Sequence, residues 1–145
     1  MKYRIIKWFI TPSERQILLK AADTEMWVPG RQGTGYERAS VRGPASKCLA
    51  ELGVSLDTRH DEYLLRYPEG AFIPPHVGDA LFGVGHYRIN VLLEHAAEGG
   101  ELFFDGERIE LDECDAVVFR PDIILHEVKP VTKGRRLLWT VGVLK

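Results

Sequence analysis

Cysteine is scarce in this 145-residue chain. Cys48 and Cys114 form neither a Cys-x-x-Cys pair nor the spacing of a zinc knuckle. That excludes a disulfide scaffold and a cysteine-based metal module, and it suits a reducing cytoplasm, the expected location. Charge of one sign is lacking too. The net charge is −2 and no long Lys/Arg block occurs, so a general electrostatic hold on nucleic acid is not expected. No apolar run approaches the length of a membrane span. Residues Met1 to Ile10 mix three basic residues with apolar ones, but Lys7 interrupts the run and Thr11-Pro12 ends it. With no small-residue cleavage site after it, this is not read as a signal peptide. Repeats and low-complexity segments are absent. Gly30-Arg31-Gln32-Gly33-Thr34-Gly35 lacks P-loop spacing, and no Gly-x-Ser-x-Gly elbow occurs.

What is present describes one globular domain over 1–145: 45% hydrophobic and 28% charged residues, enough chain to bury a core. Residues 3–10 read as a first strand. Thr11-Pro12-Ser13-Glu14 is a helix start, with Thr11 as cap, Pro12 at the first helical position and Glu14 completing a capping box. Pro44 opens a second expected helix that stops at Gly53. From Asp61 the pattern changes to strands at 62–67, 86–94, 100–104, 107–111, 115–120, 124–129 and 135–144, with Asp105-Gly106 as a hairpin turn. Asp112, Glu113 and Asp115 read as a solvated turn. The expected fold is mostly β within the α+β class: a double-stranded β-helix, or jelly roll, with two N-terminal helices packed outside. An unrelated antiparallel sandwich is the alternative.

Alternation puts His86, Arg88, Asn90 and Leu92 on one face of strand 86–94, where Arg88 and Asn90 point either to solvent or into a polar cavity. On strand 135–144, Arg136, Leu138, Thr140 and Gly142 share a face. Arg136 is then either a surface arginine or a grip for a small carboxylate, held by a bidentate pair. His126 shares its face with apolar Ile124 and Val128, a setting that suits a hydrogen-bonded core histidine as well as a ligand. His76 follows the stiff Ile73-Pro74-Pro75 approach, and Asp79 is close behind it. Two histidines and one carboxylate with open positions are the donor set of a mononuclear non-haem Fe(II) site.

The stretch from Tyr63 to Val143 resembles the 2-oxoglutarate- and Fe(II)-dependent oxygenase superfamily, especially its prolyl-4-hydroxylase-like branch. The matching pieces are Tyr63-Leu64-Leu65-Arg66-Tyr67 leading to His76, then Arg88-Ile89-Asn90, and Gly99-Gly100-Glu101-Leu102-Phe103-Phe104. They continue as Val118-Phe119-Arg120, His126-Glu127-Val128-Lys129-Pro130-Val131 and Gly134-Arg135-Arg136. The resemblance implies that His76, Asp79 and His126 hold Fe(II), and that Arg136 binds the distal carboxylate of 2-oxoglutarate. Tyr63, Asn90 and Thr140 are candidate helpers. The family pattern is His-x-Asp, whereas here the aspartate of His76-Val77-Gly78-Asp79 comes one residue late. A bulge would restore Asp79 to the metal. A vacancy at Gly78 would resemble the Fe(II) halogenases of the same superfamily, and loss of the metal would leave a non-catalytic jelly-roll binding module.

The reading is a 2-oxoglutarate-dependent dioxygenase that uses Fe(II), O2 and 2-oxoglutarate to hydroxylate a peptide side chain or small molecule. Arg31, Gln32, Tyr36 and Arg38 are expected at the rim where substrate enters. Neither a membrane nor a nucleic-acid partner is expected.

Overall fold

The helix start at Thr11 holds in the computed structural model, which describes residues 3–44, 55–56, 62–78 and 86–144. The Thr11 hydroxyl accepts from the Glu14 amide, and the Glu14 carboxylate accepts from the Thr11 amide. This closed capping box satisfies two of the amides that a helix start leaves open. In chain order the elements are β1 (Tyr3–Ile6), α1 (Pro12–Thr24), β2 (Val28–Pro29), β3 (Glu37–Ser40), β4 (Ser55–Leu56), β5 (Glu62–Tyr67) and β6 (Ile73–His76). They continue with β7 (His86–Glu94), β8 (Glu98–Gly99), β9 (Leu102–Phe104), β10 (Glu107–Ile109), β11 (Ala116–Phe119), β12 (His126–Val128), β13 (Val131–Lys133) and β14 (Arg136–Leu144). Among the described residues α1 is the one helix. The second expected helix falls on 44–53, nearly all of it outside the described residues. No described helix is long and apolar enough to cross a membrane.

The strands form two main antiparallel sheets. The larger has the order β1-β11-β7-β14-β5-β3-β2, with β4 beside the end of β14, and the smaller has the order β10-β9-β12-β6. A short β13-β8 pair lies apart. The outer face of the larger sheet, including Leu64, Ile89, Val91, Leu93, Leu137 and Trp139, packs with Leu18 and Ala22 of α1. Its inner face contributes Tyr67, Leu92, Val117, Phe119 and Leu138 to a second core. Leu102, Phe104 and Val128 of the smaller sheet fill that core from the other side. The alternating pattern on β7 and β14 thus separates two apolar layers.

Three expectations change in detail. β1 ends at Ile6, short of residue 10, because the chain turns there to meet Asp115: Lys7 Nζ donates to that carboxylate at 2.7 Å and the Trp8 amide at 3.0 Å. Trp8 takes a φ of 53° in this turn. Asp115 is accordingly no solvated turn residue, being only 2% exposed. Finally, Ile73-Pro74-Pro75-His76 is a strand rather than a mere approach. Two prolines are tolerated because β6 is the edge of the smaller sheet, where missing amide donors break no inner ladder.

Candidate active site

His76 and His126 come from adjacent strands of the smaller sheet and are cross-strand partners. Their ring centroids lie 4.2 Å apart. Each ring is fixed by its own strand: His76 Nδ1 donates to the Pro74 carbonyl at 3.0 Å, and His126 Nδ1 donates to the Ile124 carbonyl at 2.8 Å. A carbonyl oxygen can only accept, so both Nδ1 atoms carry a proton, and Nε2 is the ring atom left to take a metal. Phe119 packs edge-on against His126 at 5.4 Å. Burial, with a smaller contribution from neighbouring His76, lowers the His126 pKa and favours the neutral, ligating form. Two imidazoles side by side, each anchored through Nδ1 by a backbone carbonyl, fit a divalent metal bound through Nε2. Among the described residues no third His, Cys, Asp or Glu joins them, and Asp79 lies outside those residues.

Arg136 opens β14 and sits opposite Tyr67 of β5. It is 6% exposed, and its guanidinium lies 5.3 Å from the Tyr67 ring centroid. Burial lowers the arginine's pKa, against the stabilising phenol contact. Burial likewise pushes the Tyr67 phenol far above its ordinary value, so it stays a neutral hydrogen-bonding group. No described carboxylate pairs with this buried cation. A cavity of about 400 Å³ reaches it from Gly99, Gly100 and the segment 110–112.

The other three expected helpers gather elsewhere on the same inner face. Thr140 is fully buried and donates its hydroxyl to Asn90 Oδ1 at 2.6 Å while accepting from Arg88 Nη1 at 3.1 Å. The Arg88 guanidinium lies over the Tyr63 ring at 5.2 Å. Arg88 and Asn90 therefore face the space between the sheets, not solvent. Thr140 is four positions along β14 from Arg136, about 13 Å at the rise of a strand. The polar neighbour of Arg136 is instead Tyr67, which sequence reasoning passed over. The signal that could have found it is a tyrosine at the last position of the strand paired with the start of β14.

These features find counterparts in known proteins. No family model matches the chain. A PKHD-type hydroxylase of Maricaulis maris is 38% identical over 80 residues, half of this chain and 36% of that protein. The chain thus spans about a third of the length of the curated relative it matches. Among solved structures, a Trichoplax adhaerens prolyl hydroxylase, in complex with a hypoxia-inducible-factor peptide fragment, superposes with a TM-score of 0.77 at 17% identity, covering 99% of this chain and 83% of that one. HygX of Streptomyces hygroscopicus, with nickel, 2-oxoglutarate and hygromycin B bound, superposes with a TM-score of 0.72 at 13% identity, covering 99% and 82%. The chain has the fold of these prolyl hydroxylase structures and, over half its length, is similar in sequence to a PKHD-type hydroxylase. The two facing sheets are the double-stranded β-helix of that fold.

Gly78 stands where the resemblance leads one to expect an aspartate. Its amide donates to the Pro121 carbonyl at 2.7 Å, which fixes the backbone just past His76. The residue is not needed for lack of space. A Cβ added there would meet Pro121 no closer than 3.6 Å, an ordinary contact. The glycine is therefore not required by a close contact at its Cβ position among the described residues.

Proposed function

We propose that this chain is an Fe(II)- and 2-oxoglutarate-dependent dioxygenase, one domain over 1–145, that hydroxylates a peptide side chain or a small molecule. The observation that carries the proposal is the histidine pair with both Nδ1 protons fixed by backbone carbonyls. His76 and His126 would hold Fe(II) through Nε2, with Asp79 as the third ligand. When bound, the metal and 2-oxoglutarate supply oxygen activation coupled to decarboxylation to succinate and CO2.

The chain's own part is to bind and orient. Arg136 takes the distal carboxylate of 2-oxoglutarate, since a buried guanidinium without a carboxylate partner is costly until an anion meets it. Tyr67 holds that guanidinium in place. Thr140, Asn90 and Tyr63 present polar groups farther along the same face. Both substrate classes have precedent among the neighbours, a peptide for the Trichoplax enzyme and hygromycin B for HygX. A non-catalytic binding module is the second reading, favoured by Gly78 at the usual aspartate position.

The test is an anaerobic titration with Fe(II) and 2-oxoglutarate, read at the visible charge-transfer band of the chelate. The expected band disappears in His126→Ala and needs at least tenfold more 2-oxoglutarate in Arg136→Ala. No band at saturating iron would leave the binding module as the better account.

A further inference from the structure

Arg38 has an enclosed Nε with no hydrogen-bond acceptor, the one such side-chain atom among the described residues. Its place follows from register. Arg38 pairs with Leu65 of β5, which pairs with Leu138 of β14. Leu65 and Leu138 both pack in the core between the sheets, so the Arg38 side chain leaves β3 on that same inner face. Tyr36, two residues earlier, is buried in this core and stacks on Tyr67 at 5.5 Å.

The nearest carboxylate in sequence cannot neutralise it. Glu37 faces the opposite side of β3 and accepts from Arg66 at 3.0 Å. Elsewhere Arg135 is matched by Glu94 and Arg120 by Asp122. Among the described residues Arg38 has no such partner. Its Nε is enclosed while the residue as a whole is only half-buried, which leaves a charge with no described carboxylate beside it and its Nη edge free to meet a ligand. It stands two strands from β14, about 10 Å at the spacing of a sheet, and one row along from Arg136. One small dicarboxylate gripped by Arg136 and reaching toward the histidines of the other sheet would not use it.

We infer that the substrate of this site carries a carboxylate, and that Arg38 is the specificity residue that takes it. This rests on the oxygenase reading for the identity of the site, but not for the charge preference itself. A guanidinium edge discriminates a carboxylate from its amide because both oxygens of the acid accept, whereas the amide offers one acceptor and two repelling donors.

The experiment uses free and N-acetylated amino acids and short peptides, each as the C-terminal acid and as the carboxamide. Protein loaded with Fe(II) and 2-oxoglutarate is scored for stimulated succinate release. The same panel is scored by thermal shift on metal-free protein. At least one acid is expected to exceed its amide tenfold or more in both assays. Arg38→Gln should erase that preference while melting no lower than wild type and keeping the charge-transfer band, and Arg38→Lys should retain part of it. Equal response to acids and amides in wild type overturns the inference, as does an unchanged preference in Arg38→Gln. Loss of the band in Arg38→Gln also overturns it, by moving Arg38 to the co-substrate. Should wild type show no band, the oxygenase reading fails separately, and the thermal-shift preference alone decides the role of Arg38.

Discussion

At the scale of single residues, the proposed ligand set turns on Gly78 and its neighbour Asp79. The backbone there is pinned by the Pro121 carbonyl, and an added Cβ would have room. This makes a rescue experiment possible. Asp79→Ala is expected to weaken Fe(II) binding tenfold or more, measured by anaerobic calorimetry. The double change Gly78→Asp with Asp79→Ala should recover most of the loss, because it restores a carboxylate at the His-x-Asp position. An Asp79→Ala protein that binds iron like wild type would remove Asp79 from the site. The same scale shows where sequence reading reached and where it stopped. Face was legible: Arg88, Asn90, Arg136 and Thr140 follow from period-two alternation. Row was not, because register between strands distant in the chain is set by the whole sheet. Tyr67 was therefore missed beside Arg136, while Tyr63 and Thr140 gather around Arg88.

At the scale of elements, the local signals with a mechanism survived. The capping box of α1 and the Asp105-Gly106 turn were both readable, since each depends on residues within a few positions. The strand containing Pro74 and Pro75 was not, because proline argues against a strand unless the edge position is known. The turn has a consequence for the site. Asp105 and Gly106 take φ of 50° and 81°, the left-handed pair that a two-residue hairpin requires. The Asp105 amide donates to the Leu125 carbonyl at 2.7 Å, and the Asp105 carboxylate accepts from the Leu125 amide at 3.1 Å. The hairpin thereby braces the residue just before His126, whose strand also pairs with Phe104. Gly106→Ala should cost about 1 kcal/mol in urea unfolding, the penalty for a side chain in the left-handed region. It should also weaken metal binding severalfold, since it loosens the brace without touching a ligand. A stability loss with unchanged metal affinity would show that the histidine pair is held by β6 and β12 alone.

At the scale of the molecule, acid sensitivity joins the β1 edge of the larger sheet to the histidine pair. Asp115 anchors the turn after β1 to the start of β11, accepting from Lys7 Nζ at 2.7 Å and from the amides of Trp8 at 3.0 Å and Asp112 at 3.2 Å. Burial pulls its pKa upward more than any other single influence, but these donors together outweigh it and hold the carboxyl below its ordinary value. A depressed carboxyl stabilises the fold above the unfolded pKa, near 3.9, and that stability is lost as pH falls through the folded pKa. His126 acts at higher pH. Its folded pKa lies below the unfolded value of 6.5, so the unfolded chain takes up the proton first and stability declines as pH falls from about 6.5. Metal-free protein should therefore lose stability in two stages, one beginning near neutrality and one below about pH 4. Two substitutions separate them in urea midpoints measured at several pH values. His126→Gln should flatten the upper stage and leave the lower. Asp115→Asn should cost about 2 kcal/mol at neutral pH, in the range for hydrogen bonds to a charged group. Its deficit should shrink below pH 4, as the wild-type carboxyl takes up its proton. A deficit constant with pH would mean that Asp115 contributes through shape and hydrogen bonding alone, and that its charge does nothing to hold β1 to β11.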